Sequence, residues 1–336
     1  MIIEDEQGRT LFFDAASSNV DCMKTVLNLL PKSMHLQFVN MVDCWGGSVL
    51  SYAVDSENLE AIKFILSILP TDQRLEAVCM QGNEGNTVLH CIVKLFDLET
   101  LRTILHSLTE PERHRAVMIQ NGDNETVLHY AASSGNTVLI ETILACYPEP
   151  ERIRAVCTQD RFERTVLHWS TDMFESIKTI LDSLPQSQHL RVLSIQEKSG
   201  NTVLHYVAQS GNAEAIETIL TILNRYPESE RLQALNRTTH NGETVLHLVV
   251  PSNKVERIKL VLALYPESER LHLVSMADNT GWTVLHCAAR SGNLEAMETI
   301  LAVYPESERL QALNRTTRNG ETVLHFVARL DKVECI

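Results

Sequence analysis

The tetrapeptide Thr-Val-Leu-His constrains this chain more than any other feature. It stands at residues 87–90, 126–129, 165–168, 202–205, 244–247, 283–286 and 322–325, with looser copies at Ser48-Val49-Leu50-Ser51 and Thr10-Leu11-Phe12-Phe13. From Thr10 the copies are separated by 38, 39, 39, 39, 37, 42, 39 and 39 residues. A motif returning at a near-constant period specifies a stack of like units, each burying its apolar face on its neighbours. A compact core rarely grows past about 300 residues, but a stack absorbs all 336 in one elongated domain. The expected organisation is one solenoid over 1–336, with units starting near residues 5, 43, 82, 121, 160, 197, 239, 278 and 317, the last one cut short. Stacks of this kind present long binding surfaces and seldom carry chemistry themselves.

One unit shows how the residues build the repeat. Asp278-Asn279-Thr280-Gly281-Trp282 is a polar turn, and the glycine two places before each Thr recurs as Gly8, Gly46, Gly85, Gly200, Gly242 and Gly320. Asn124 and Glu163 replace it in two units; glycine and asparagine tolerate positive φ, so a tight turn is expected. Thr283 then caps a short helix through Ala289, with Gly292 as a left-handed terminator. A second helix follows from Leu294, with Met297, Ile300, Leu301 and Tyr304 on its buried stripe. Pro305-Glu306-Ser307-Glu308-Arg309-Leu310 starts a helical spur, with the proline in its first turn and Leu310 and Leu313 fastening it down.

A glycine turn, then T-x-L-H-x-A-A-x-x-G-N, then an amphipathic helix resembles the ankyrin repeat along essentially the whole chain. Valine stands where that family's signature has proline, and the period exceeds its usual 33 by about six residues, which the spur supplies. HEAT and armadillo units share a period of about 40 residues but not this turn pattern. The resemblance implies an all-α, ankyrin-like solenoid of about nine turn–helix–helix units, each with a spur. Long arrays with an E-S-E-R-L spur also resemble those of type IV-secreted effectors of intracellular bacteria. That resemblance implies a cytoplasmic chain delivered into a host cytosol.

The array has irregularities. Residues 226–247 and 304–325 differ only in His240 against Arg318, the mark of a duplicated two-unit block. Unit five is two residues short around Asp172-Met173-Phe174, and unit six carries three extra near Asn224-Arg225. A changed stacking angle over 165–227 is expected. Ile336 aligns with Ile258, early in a second helix, and solenoid ends need polar caps, so the natural protein is expected to continue.

A formal charge of −14 opposes nucleic-acid binding, which needs a basic face, and disfavours anionic membrane surfaces. No stretch approaches the ~20 apolar residues of a membrane span. Met1-Ile2-Ile3-Glu4-Asp5-Glu6 lacks the basic start and apolar core of a signal peptide. The eight cysteines, Cys22, Cys44, Cys79, Cys91, Cys146, Cys157, Cys287 and Cys335, form no C-x-x-C pair and read as buried free thiols.

No catalytic residue, metal site or cofactor is expected. Repeats stacking about 10 Å apart cannot bring the motif histidines to one ion, since Zn–N bonds are about 2 Å. The family pattern implies instead that each histidine bonds a neighbouring turn. Neighbours such as His286 and Cys287 point about 100° apart on a helix and do not form a nucleophile–base pair. The Cys287 position holds Tyr130, Trp169, Tyr206, Leu248 and Phe326 elsewhere, which marks a packing site, with Trp169 expected in the core. The resemblance places the binding face on turn tips and outer first-helix ends. The unusual residues there are Trp45 in unit two, Arg161, Phe162, Arg164, Asp172 and Met173 in unit five, and Trp282 and Arg290 in unit eight. Trp, Phe and Arg are hot-spot types, although the rings could also lie down on a neighbouring turn. The reading is a monomeric, non-catalytic scaffold that binds a partner protein. The alternatives are the targeting part of an enzyme whose catalytic domain lies beyond residue 336, and a plain spacer.

Overall fold

The computed structural model describes residues 4–329 except positions 83, 211 and 253. Cys335 and the expected start of a ninth second helix near Ile336 lie outside them. Among the described residues there are 25 α-helices, two short 3-10 helices and isolated bridges only at turns. The fold is an all-α, ankyrin-like solenoid. Each full repeat carries three helices; in the eighth they are Val284–Ser291, Leu294–Leu301 and Glu306–Asn314. The chain forms two compact units, residues 1–161 with 182–184, and residues 162–181 with 185–336. Within each unit, first helices pack on first helices, second on second and third on third.

The turns are built by their polar residues. Asp278 Oδ1 accepts the backbone N–H groups of Thr280 and Trp282, both at 2.8 Å. Gly281 takes φ 84°, and the other turn glycines are likewise positive. A β-carbon on Gly85 would stand 2.5 Å from the Gly122 nitrogen, because consecutive turns are joined by backbone bonds. Gly122 N–H donates to the Glu84 carbonyl at 2.9 Å, and Asn279 N–H to that of Asn241 at 2.7 Å. Asn124 and Glu163 hold the same conformation, at φ 62° and 63°. For asparagine this is tolerable; for glutamate it is strained.

The Thr and His of the motif act as a pair. Thr283 is the N-cap and accepts the N–H of the third helical residue, while the His286 ring reaches back to the cap. His286 Nδ1 accepts the Thr283 N–H at 3.1 Å. A ring nitrogen that accepts an N–H carries no proton, so the imidazole is neutral with its proton on Nε2. That proton goes to the next repeat from His90, His168 and His247, and to the end of its own repeat from His286. His90 donates to the Glu125 carbonyl at 3.1 Å, His168 to Asn201 at 3.2 Å, His247 to Trp282 at 3.1 Å and His286 to Arg315 at 3.1 Å. Burial dominates the electrostatics, holding the pKa of His90 and His205 down to about 4 and lowering those of His247 and His286. The histidines thus tie neighbouring repeats, as the family resemblance implies.

The spur is a true third helix, anchored differently from the sequence reading. Pro305 lies one position earlier than expected, as the extended N-cap (ψ 144°) before Glu306. Leu310 is 67% exposed, whereas Ala312 is buried. In other repeats the buried anchors are adjacent residues near the helix end, Ala77-Val78, Ala116-Val117, Ala155-Val156, Ala234-Leu235 and Leu273-Val274. The arginine of the motif does the fastening. Arg270 Nε donates to the Leu262 and Tyr265 carbonyls at 2.9 and 3.1 Å, and Arg113 Nε to those of Leu105 and Leu108 at 2.7 and 3.1 Å. These carbonyls end the second helix and have no partner within it. Buried tyrosines then reach the preceding spur. Tyr147, Tyr265 and Tyr304 donate to the carbonyls of Val117, Leu235 and Val274 at 2.9, 2.9 and 2.8 Å.

Irregular sequence steps appear as irregular helices. The first helix of repeat five is only Val166–Trp169, and the second helix of repeat six lengthens to 11 residues, Ala213–Leu223. In repeat seven the first helix gives way to a 3-10 turn at Val250–Ser252, around Pro251, which has no N–H to continue the ladder. The cysteines depart in part from the expectation. Cys146 is buried and Cys79, Cys91, Cys157 and Cys287 are half-buried, but Cys22 and Cys44 are exposed.

Candidate interaction surface

The turn and first-helix side of repeat five displays a stacked cluster. The Arg164 guanidinium lies between two rings, 5.0 Å from Phe162 and 4.9 Å from Trp169. Phe162 is 42% exposed. Trp169 is half-buried rather than in the core. With the helix stopping at this residue, the indole lies outward against Arg164. Such cation–π stacking restrains a long side chain and leaves an apolar edge accessible. Met173 and Asp172 are exposed just beyond the shortened helix, and the Asp172 carbonyl accepts Asn212 Nδ2 at 3.0 Å. Arg161 turns the other way, to Asp123 at 2.6 Å in the first unit.

Trp45 stands alone on its turn, 48% exposed, its backbone N–H donating to Asp43 Oδ1 at 2.9 Å. The structure does not bring it to the other candidates.

Repeat eight also borders a concavity. A cleft of about 780 Å³ opens between the first helices of repeats seven and eight, with Leu248, Pro251, Trp282 and Cys287 on its walls. Trp282 is half-buried; its ring centroid lies 4.7 Å from that of Phe326 on the following repeat. The exposed Arg290 places its guanidinium 5.4 Å from the same ring. Part of the indole therefore packs on its neighbour, and the rest borders the cleft. Glu243 and Asp278 line its turn side, Gln209 and Arg290 its far side. Burial pushes the Cys287 thiol up to about 12, and both carboxylates add to the shift. A thiol so raised is a weak nucleophile and a packing group.

Sequence reasoning found Trp282 and Arg290 but missed the cleft floor. The position four residues after each Thr covers the histidine of the preceding repeat. Tyr130 sits edge-on to His90 at 5.8 Å, Tyr206 to His168 at 5.5 Å and Phe326 to His286 at 6.0 Å. It packs, as expected, yet Leu248 and Cys287 at this position also face the cleft. The alternation of Tyr, Trp, Leu, Cys and Phe there was the available signal, since a purely internal position tolerates less change in volume.

Residues 229–309, which include this cleft's repeats seven and most of eight, match the family model described as ankyrin repeats (three copies). The chain carries ankyrin repeats. Among solved structures it is similar to the ankyrin repeat domain of Bcl-3, described as a unique member of the IkappaB protein family. That similarity has 18% identity and a TM-score of 0.53, and covers 72% of this chain and 94% of that one. It is a likeness of fold. No curated protein matches the chain. No helix among the described residues is long and apolar enough to cross a membrane.

Proposed function

We propose that this ankyrin-repeat chain is a non-catalytic scaffold whose second unit binds a partner protein on its turn and first-helix side. Ankyrin repeats are protein–protein interaction modules. The observation that carries the reading is the repeat seven–eight cleft, where Trp282 and Leu248 offer apolar surface beside Arg290. Binding energy concentrates in clefts of this kind, around Trp and Arg anchors. The Phe162–Arg164–Trp169 stack three repeats earlier supports a second anchoring point in the same unit. On this reading Met173 and Asp172 rim that anchor, while Trp45 and Arg161 belong to the first unit.

Partner capture by the full chain tests the reading. Phe162→Ala and Trp282→Ala should each weaken a captured partner by tenfold or more in calorimetric titration while the circular dichroism spectrum stays unchanged. Full affinity in both variants removes the surface assignment. The chain is further read as one monomeric array acting as a bacterial effector in a host cytosol. The support is the resemblance of its E-S-E-R-L spur to those arrays, and a reporter-fusion translocation assay tests it.

A further inference from the structure

We infer that the cleft between repeats seven and eight receives a basic side chain, so that the partner segment carries a lysine or arginine flanked by apolar residues. This rests on the reading of that cleft as a binding site and names what would fill it. The cleft combines charged groups, Glu243, Asp278 and Arg290, with the apolar Leu248, Pro251 and Trp282. Glu243 stands just before the Thr of repeat seven, and Asp278 heads the turn of repeat eight; both line the turn end. Arg290 stands seven residues after Thr283, at the far end of its helix. Seven residues of helix rise separate the backbones by about 10 Å, and the Arg290 guanidinium lies back against the Trp282 ring, so the cleft carries a pair of carboxylates and one separate, stacked cation.

The carboxylate pair has no counter-charge of its own. Among the described residues, no lysine or arginine nitrogen lies within ion-pair distance of either carboxylate. The neighbouring histidine offers none either. His247 gives its Nε2 proton to the Trp282 carbonyl, accepts the Thr244 N–H at Nδ1, and is held neutral by burial. Asp278 spends Oδ1 on its own turn, accepting from Thr280 and Trp282. Glu243 Oε2 takes a single hydroxyl bond from Thr239 at 3.2 Å. Arg290 is already stacked on Trp282. A basic residue entering at the turn end meets both carboxylates and lays its methylenes on Leu248 and Trp282. A uniformly basic run fits poorly, because its next charge meets Arg290. The chain's charge of −14 draws a cationic segment in from a distance.

The test uses the full chain and a phage-displayed random heptapeptide library, with the best recovered peptide resynthesised for fluorescence anisotropy. The expected sequences share one lysine or arginine beside apolar residues. Replacing that residue by norleucine should weaken binding about tenfold, and so should Glu243→Gln combined with Asp278→Asn. Raising the salt to 0.5 M should shrink both effects. Glu243→Gln alone leaves the turn bonds of Asp278 intact and should give part of the loss. Recovery of acidic or uncharged sequences, or unchanged affinity in the carboxylate variants, overturns the inference. If Trp282→Ala weakens the peptide but the carboxylate variants do not, only the basic residue is wrong. If Trp282→Ala binds normally, the cleft itself is not the site.

Discussion

Stability should fall steeply between pH 7.5 and 5.5, through histidines that fold in the neutral form. His90 and His205 are buried with pKa values held down to about 4, against 6.5 when unfolded. Both accept their Thr N–H on Nδ1, and that geometry excludes a second ring proton. Below pH 6.5 the unfolded chain takes up protons that the folded chain refuses. Their contribution is therefore complete above about pH 6.5 and drains away as the pH drops toward 4. Each of the two loses about 1.4 kcal/mol by pH 5.5 and about 3 kcal/mol by pH 4. The pair alone removes about 2.8 kcal/mol at pH 5.5, and His247 and His286, also lowered, add to it. Urea titrations followed by far-ultraviolet circular dichroism at pH 7.5, 6.5 and 5.5 measure this directly. The control is His90→Gln with His205→Gln, since glutamine can make a capping box without titrating. The double variant should lose about 2.8 kcal/mol less over that interval than the parent. A parent whose stability changes by less than about 1 kcal/mol, or a variant with the parental slope, refutes the neutral-histidine argument.

Three further outcomes follow from particular contacts. Glu163→Gly should stabilise the protein by about 0.5–1 kcal/mol by relieving a positive φ; a destabilised variant in urea unfolding would show that the glutamate side chain outweighs the strain. Gly85→Ala should cost at least about 2 kcal/mol, since its β-carbon would meet the Gly122 nitrogen at 2.5 Å in addition to the backbone strain, and a thermal midpoint unchanged from the parent would contradict this. Tyr265→Phe should cost about 1–2 kcal/mol by leaving the buried Leu235 carbonyl without its hydroxyl; a neutral result in urea would mean that solvent reaches that carbonyl.

The sequence disclosed what each repeat does within itself. The turn glycines, the Thr cap and the left-handed Gly292 are local, so their chemistry is visible in a short window. It disclosed less of what passes between elements. Leu310 and Leu313 had the right spacing for an anchor, but spacing does not reveal that the spur's arginine reaches back to the end of the preceding helix. Trp169 had the composition of a core residue, yet the helix stops there and Arg164 covers it from outside. The cleft was hidden for the same reason. Glu243, Leu248 and Asp278 come from two repeats, and their convergence depends on how neighbouring first helices pack.

The histidine bonds also give the array a direction in time. Three rings donate forward, from His90 to Glu125, from His168 to Asn201 and from His247 to Trp282, across 35, 33 and 35 residues. A chain growing from its N-terminus makes each of these histidines before the carbonyl that will complete it. When repeat three, five or seven is the newest on a ribosome, it is thus one acceptor short until the next turn emerges. Folding during synthesis should advance as a ratchet, with the tension on the nascent chain peaking as each of these three bonds closes. The same array refolding from denaturant has no such order imposed on it.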